Sequence, residues 1–169
     1  MGPKAHVAGF LLGLGALLAG GGAAHANPEH GQAFKDWTAR CETPPGSQLE
    51  RCYIFQNIVL KESQQRVLHM AVGYLAANGQ PAVVLTLPLG ISLPPGVTIS
   101  VDDGAAHPVV VERCDPSGCI GAFALDPAMI AALEKGRQAR VDFYDGTRRK
   151  ISVPVSLLGF TAGFATLQP

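Results

Sequence analysis

The chain has 169 residues, and its 13 Lys or Arg are matched by 13 Asp or Glu. That balance leaves no basic field for nucleic acid, so no nucleic-acid partner is expected. With 47% hydrophobic residues, 20 glycines and 13 prolines, the length fits one domain with a real core and many turns.

The first stretch reads MGPKAHVAGFLLGLGALLAGGGAAHA. Lys4 supplies a short positive start, and residues 7–19 form an uncharged apolar run. Ala24-His25-Ala26 gives the small-x-small pattern of a cleavage site, so residues 1–26 read as a signal peptide. A retained membrane anchor would need about 20 apolar residues, and this run is shorter. No cysteine directly follows the apolar run, which argues against a lipid anchor at a new N-terminus. No later apolar stretch reaches spanning length unbroken, so no membrane span is expected in the mature chain. Residues 27–169 are read as a single β-rich domain, and their oligomeric state is left open.

Residues 27–39 are polar around Phe34 and Trp37. A lone tryptophan near a disulfide is expected in the core rather than in a binding site. Residues 42–50 form a Pro/Gly/Ser loop. "CYIFQNIVLK" (52–61) is β-prone. "VLHMAVGYLA" (67–76) is apolar, and its central glycine and flanking strands favour strand over helix. A turn at residues 77–80 leads into "PAVVLTLPLG" (81–90), with Pro81 acceptable at a strand start. Pro94-Pro95-Gly96 predicts a turn, residues 97–101 a short strand, and Asp102-Asp103-Gly104 a hairpin turn. Two strands then flank Asp115-Pro116-Ser117-Gly118. Asp126 reads as an N-cap, Pro127 as the first helical residue and Gly136 as the terminator of a helix of about two turns, with Ile130 and Leu133 on its buried edge. Asp145-Gly146 splits two further strands. Residues 153–167 admit a strand, a loop or a short helix. The expected fold is mainly β: a small antiparallel β-sandwich or partly closed barrel with one short helix.

All four cysteines, Cys41, Cys52, Cys114 and Cys119, lie beyond the leader. An even count in an exported chain favours disulfides. Of three pairings, the local ones, Cys41–Cys52 and Cys114–Cys119, are preferred. The second closes around residues with good turn chemistry. A four-cysteine zinc site would want two tight knuckles, and the first pair is too widely spaced. A thioredoxin-like centre wants C-x-x-C at a helix start, whereas Cys114 ends one apolar run and Cys119 begins another.

Several stretches together resemble the invasion-associated locus B family of exported alphaproteobacterial proteins. They are "DWTARC" with Cys52 after it, "LPLGISLPPGVTISVDDG", "ERCDPSGCIGAF", "LEKG" and "ISVPVSLLGFTAGFATL", covering nearly all of residues 34–167. The resemblance implies a small β-rich secreted or outer-envelope domain linked to host-cell interaction. It implies the same two cysteine pairs and brings no catalytic or ligand residues. The basic isoelectric character of some members is absent here.

No constellation for chemistry stands out. His30, His69 and His107 lie on separate segments without metal-ligand spacing. His69 is expected at a core edge and His107 in a turn. None of Ser47, Ser63, Ser92, Ser100, Ser117, Ser152 and Ser156 sits in G-x-S-x-G, although a hydrolase site assembled from distant residues is a remaining alternative. Asp102-Asp103 is a hairpin turn before it is an acid pair or calcium ligand set. Met70 and Met129 are too far apart for a copper cluster. Arg148, Arg149 and Lys150 read as a solvated strand start. No catalytic residue, metal or cofactor is therefore expected.

The expected function is a non-catalytic exported envelope protein in the periplasm, at the outer membrane or released, which binds a protein or envelope component. A periplasmic redox component using one cysteine pair is the second alternative. Two apolar loops, "LPLGISLPPG" and "LLGFTAGF", would form a contact patch if they lay side by side, with Leu89, Ile91, Leu93, Phe160 and Phe164 as contacts. Otherwise they would seal the two ends of a sandwich.

Overall fold

The computed structural model describes Gly2, residues 27–75 and residues 79–167. The leader read in residues 1–26, apart from Gly2, and the first half of the turn at 77–80 lie outside the described residues. The described residues form ten strands: β1 Ala33–Phe34, β2 Trp37–Glu42, β3 Arg51–Val59, β4 Arg66–Tyr74, β5 Pro81–Leu87, β6 Val97–Val101, β7 His107–Asp115, β8 Gly118–Ala124, β9 Gln138–Tyr144 and β10 Lys150–Ser156. Helix α1 spans Pro127–Lys135 and α2 spans Phe160–Phe164.

Every pairing is antiparallel, and the order is β1-β2-β3-β4-β5-β8-β7-β6-β9-β10. Strand β7 divides its pairing. His107, Pro108 and Val109 pair with β6, whereas the stretch from Val110 to Asp115 pairs with β8. It thereby joins a larger layer, β1-β2-β3-β4-β5-β8, to a smaller one, β6-β9-β10. A strand that passes between layers is how such a sandwich turns a corner. The sheet stays open, since β10 and β1 are its two ends.

Alternation sends one set of side chains between the layers. Trp37, Ile54, Leu68, Met70, Val72 and Leu85 from the larger layer meet Ile99, Val141 and Val155 from the smaller. Both cysteine pairs are cross-strand neighbours in register and are bonded: Cys41–Cys52 joins β2 to β3, and Cys114–Cys119 joins β7 to β8.

The first helix follows its local code. Asp126 accepts a hydrogen bond from the Met129 N–H at 2.7 Å, Pro127 opens the helix and Gly136 closes it. Its Leu133 is fully buried, while Ile130 is only partly so.

The second helix departs from the expectation of one. Gly159 at φ 92° breaks the chain direction after β10. A single helical turn then stacks Phe160 on Phe164 (5.5 Å between rings) and sets Phe160 edge-on to Trp37 at 5.3 Å. The Thr161 hydroxyl donates to the Glu134 carbonyl at 2.9 Å and ties α2 to α1.

Candidate interaction surface

An antiparallel sheet with one face on a core normally turns polar residues to water on the other. The larger layer does not. Register fixes three rows of outward side chains across it. The first runs Thr38, Phe55, Ala71, Val84, Ala122, Val110. The second runs Arg40, Tyr53, Gly73, Ala82, Ala124, and the third Asn57, His69, Thr86, Ile120, Arg113. The first two rows are apolar between the β2 rim, where Thr38 and Arg40 stand, and β8, whereas the third carries Asn57, His69 and Thr86 before Ile120 and Arg113. Val110 is 72% exposed, and Phe55, Ala71, Val84, Ile120 and Ala122 are half-buried. Folding gains little by placing them there, and they leave an apolar surface outside the core.

The face has relief. Tyr53 and Phe55 stand up on β3 with ring centres 6.2 Å apart, and Phe55 lies 5.3 Å from the His69 ring. Beside them the floor is low. Gly73 sits directly under Tyr53, where an added Cβ would come within 2.8 Å of the tyrosine Cβ. A groove of about 290 Å³ results, lined by Tyr53, His69, Ala71, Val84 and Thr86 among others. His69 Nδ1 lies 2.8 Å from Asn57 Oδ1, bonded to it. Burial and the nearby Arg66 and Arg40 charges push the His69 pKa below the ordinary imidazole value.

A second cleft, of about 570 Å³, follows the open seam of the sheet and is lined by Asp36, Thr38, Phe55, Gln56, Asn57, Gln138, Pro154 and Ser156. Side chains stitch this seam. Trp37 Nε1 and Gln56 Nε2 both donate to the Ser156 carbonyl.

The two apolar loops are not neighbours in one patch. The first is tied to the far end of β9 by the Ser92 N–H, which donates to the Tyr144 carbonyl at 2.8 Å. Tyr144 pairs with Lys150, at the start of β10, whereas the second loop leaves the other end of β10 at Ser156. Leu89 and Leu93 are exposed (57% and 48%), and Ile91 packs partly against the core. Phe160 and Phe164, expected as contacts, are core residues at 0% and 7% exposure, because α2 turns both rings inward onto Trp37 and Tyr74.

The polar groups weighed for chemistry serve turns and rims. Asp102 accepts from the Gln138 N–H at 3.1 Å. Arg149 pairs with Asp145 at 3.1 Å, and Lys150 with Asp142 at 2.9 Å, so the basic cluster is largely neutralised by its neighbours. His107, expected in a turn, instead opens β7, and its ring packs at a tilt against Phe123 at 4.6 Å. Glu50 lies close to the sulfurs of Cys41 and Cys52, but both sulfurs are spent in the disulfide and offer no thiolate to a metal. Among the described residues, no helix is long and apolar enough to cross a membrane.

A family model described as "Invasion associated locus B (IalB) protein" matches residues 37–168. The chain belongs to the invasion-associated locus B family. Two invasion protein B homologs of Brucella abortus, from strains 2308 and 9-941, are each 27% identical over 138 residues, covering 81% of this chain and 78% of the relative. The crystal structure of invasion associated protein B from Bartonella henselae matches with a TM-score of 0.67 at 26% identity, over 78% of this chain and 89% of that one.

The outer face of the larger layer was not singled out in the sequence. The signal lay in strands such as "VLHMAVGYLA" and "PAVVLTL", which lack a polar residue at every second position.

Proposed function

We propose that this IalB-family protein is an exported module of the cell envelope that acts by binding a protein or envelope component, through the outer face of the larger layer. The observation that carries the reading is the apolar first row, Phe55, Ala71, Val84, Ala122 and Val110, flanked by Tyr53, Ala82 and Ala124 of the second, which the core does not use. Leu89, Ile91 and Leu93 are a second contact region, at the end of the sandwich. Removal of residues 1–26 would deliver residues 27–169 as one domain to the periplasm, where oxidation of the two cysteine pairs is favoured. From there the protein would remain periplasmic, associate with the outer membrane or be released. The names of the relatives support a link to host interaction.

The test is affinity capture from the envelope fraction with the natural mature protein and with Val84→Arg. The reading expects a captured component that the variant loses while keeping its fold. Equal capture by both proteins would refute a role for this face.

A further inference from the structure

We infer that the occupant of this face is a second copy of the same chain, packed face to face about a two-fold axis parallel to the strands and passing between β4 and β5. The inference rests on the interaction reading above and specifies its partner. The face is uneven in a way that such an axis makes self-complementary. Its tall side is the aromatic pair Tyr53 and Phe55 on β3, and its low side is the alanine pair Ala122 and Ala124 on β8. Strands β3 and β8 lie at equal distances on either side of the axis. A two-fold operation therefore sets Phe55 of each copy over Ala122 of the other, and Tyr53 over Ala124. In the same rows Ala71 meets Val84, His69 meets Thr86, and Thr38 meets Val110. Wall fits floor, and the fit occurs twice.

The rims supply the charge. Two residues before Thr38 the chain carries Asp36, exposed beside β2 and level with the third row. The opposite end of that row is Arg113 on β7, also exposed, which among the described residues pairs with Glu112 at 4.0 Å and Asp115 at 3.7 Å. The axis brings Asp36 of one copy to Arg113 of the other, on both sides of the interface. Two antiparallel sheets meeting in this way form an aligned sandwich, a packing that tolerates the crossing angle imposed by sheet twist.

The test is sedimentation velocity of the mature, disulfide-bonded protein over a concentration series reaching about 0.1 mM, enough to populate a dimer with a micromolar constant. Near-UV circular dichroism checks that each variant is folded. The natural protein and Leu158→Arg, a change outside the face, are expected to be dimers, and Ala122→Arg a monomer. Asp36→Arg and Arg113→Asp should each weaken the dimer roughly tenfold, and the double exchange should restore it. A natural protein that is monomeric throughout, or a dimer that persists in folded Ala122→Arg, would overturn the inference. If the natural protein is monomeric but Ala122→Arg abolishes capture of an envelope component, the second copy is wrong and the interaction reading stands. If neither association nor capture responds to the face, both fail.

Discussion

Trp37 donates its indole N–H to the Ser156 carbonyl at 2.9 Å, across the gap where the sheet does not close. The Gln56 amide reaches the same carbonyl at 2.6 Å. Ladder bonds hold strand to strand elsewhere, and here two side chains do that work. The indole is also fully buried and edge-on to Phe160, so one residue holds the seam and anchors α2. Trp37→Ala is expected to cost about 3–5 kcal/mol, the range for removing a buried aromatic. Trp37→Phe keeps most of the volume but leaves the carbonyl with Gln56 alone, and should cost about 1–2 kcal/mol. Urea unfolding of the oxidised protein measures both.

Gly159 is the hinge on which α2 turns back over the seam. At φ 92°, with its Cα against the Phe34 carbonyl, it has no space for a side chain, and an added Cβ would lie 1.9 Å from the Phe34 oxygen. Gly159→Ala should therefore separate α2 from β1 and destabilise the protein by more than the roughly 1 kcal/mol of an ordinary strained glycine site. The expected result is a lowered melting temperature with loss of near-UV signal from Trp37. An unchanged melting temperature would mean that α2 does not depend on this contact.

The two disulfides differ in exposure. Cys114 is on the surface while Cys119 is buried, and Cys41 is buried beside a half-buried Cys52. A small thiol therefore has easier access to the Cys114 sulfur, and graded reduction should open Cys114–Cys119 first. Loss of either loop closure is expected to cost about 2–3 kcal/mol in the chain-entropy account. Alkylation and peptide mapping at partial reduction check the order, and melting of Cys114→Ser/Cys119→Ser checks the magnitude. A bridge that instead cycles with mild oxidants at unchanged stability would favour a redox role.

His69 gives the fold a pH dependence whose sign follows from its burial. Burial, then the Arg66 and Arg40 charges, hold its folded pKa below the 6.5 of a free imidazole. The unfolded chain therefore takes up the proton first as pH falls. The contribution of His69 to stability is present above pH 6.5 and is lost as pH falls through the lower, folded value. Urea midpoints measured from about pH 8 to about pH 5 should fall in the natural protein and fall less in His69→Gln.

What the sequence discloses is the chemistry of neighbours in the chain. Asp126, Pro127 and Gly136 announce α1, Asp115 to Gly118 announce the β7–β8 turn, and Asp145-Gly146 announces the last hairpin, because caps and turns are decided within a few residues. Pairings across long intervals leave no such mark. Nothing local tells β5 to lie beside β8, or β6 beside β9, or β7 to divide between layers. Phe160 and Phe164 are apolar residues in a glycine-broken stretch, and only the fold of α2 over Trp37 decides that they face inward. The outer face was hidden for a related reason. When both faces of a strand are apolar, alternation disappears and the strand reads simply as buried.

Site-directed photocrosslinking in living cells tests the central claim most directly. A photoreactive residue at Val84 would sample the face in its native compartment, and one at Leu158, on the α2 side, would serve as control. The account predicts a covalent adduct at Val84, of twice the chain's mass if the second copy is the occupant, and none at Leu158. A folded protein that yields no adduct at Val84 would contradict it.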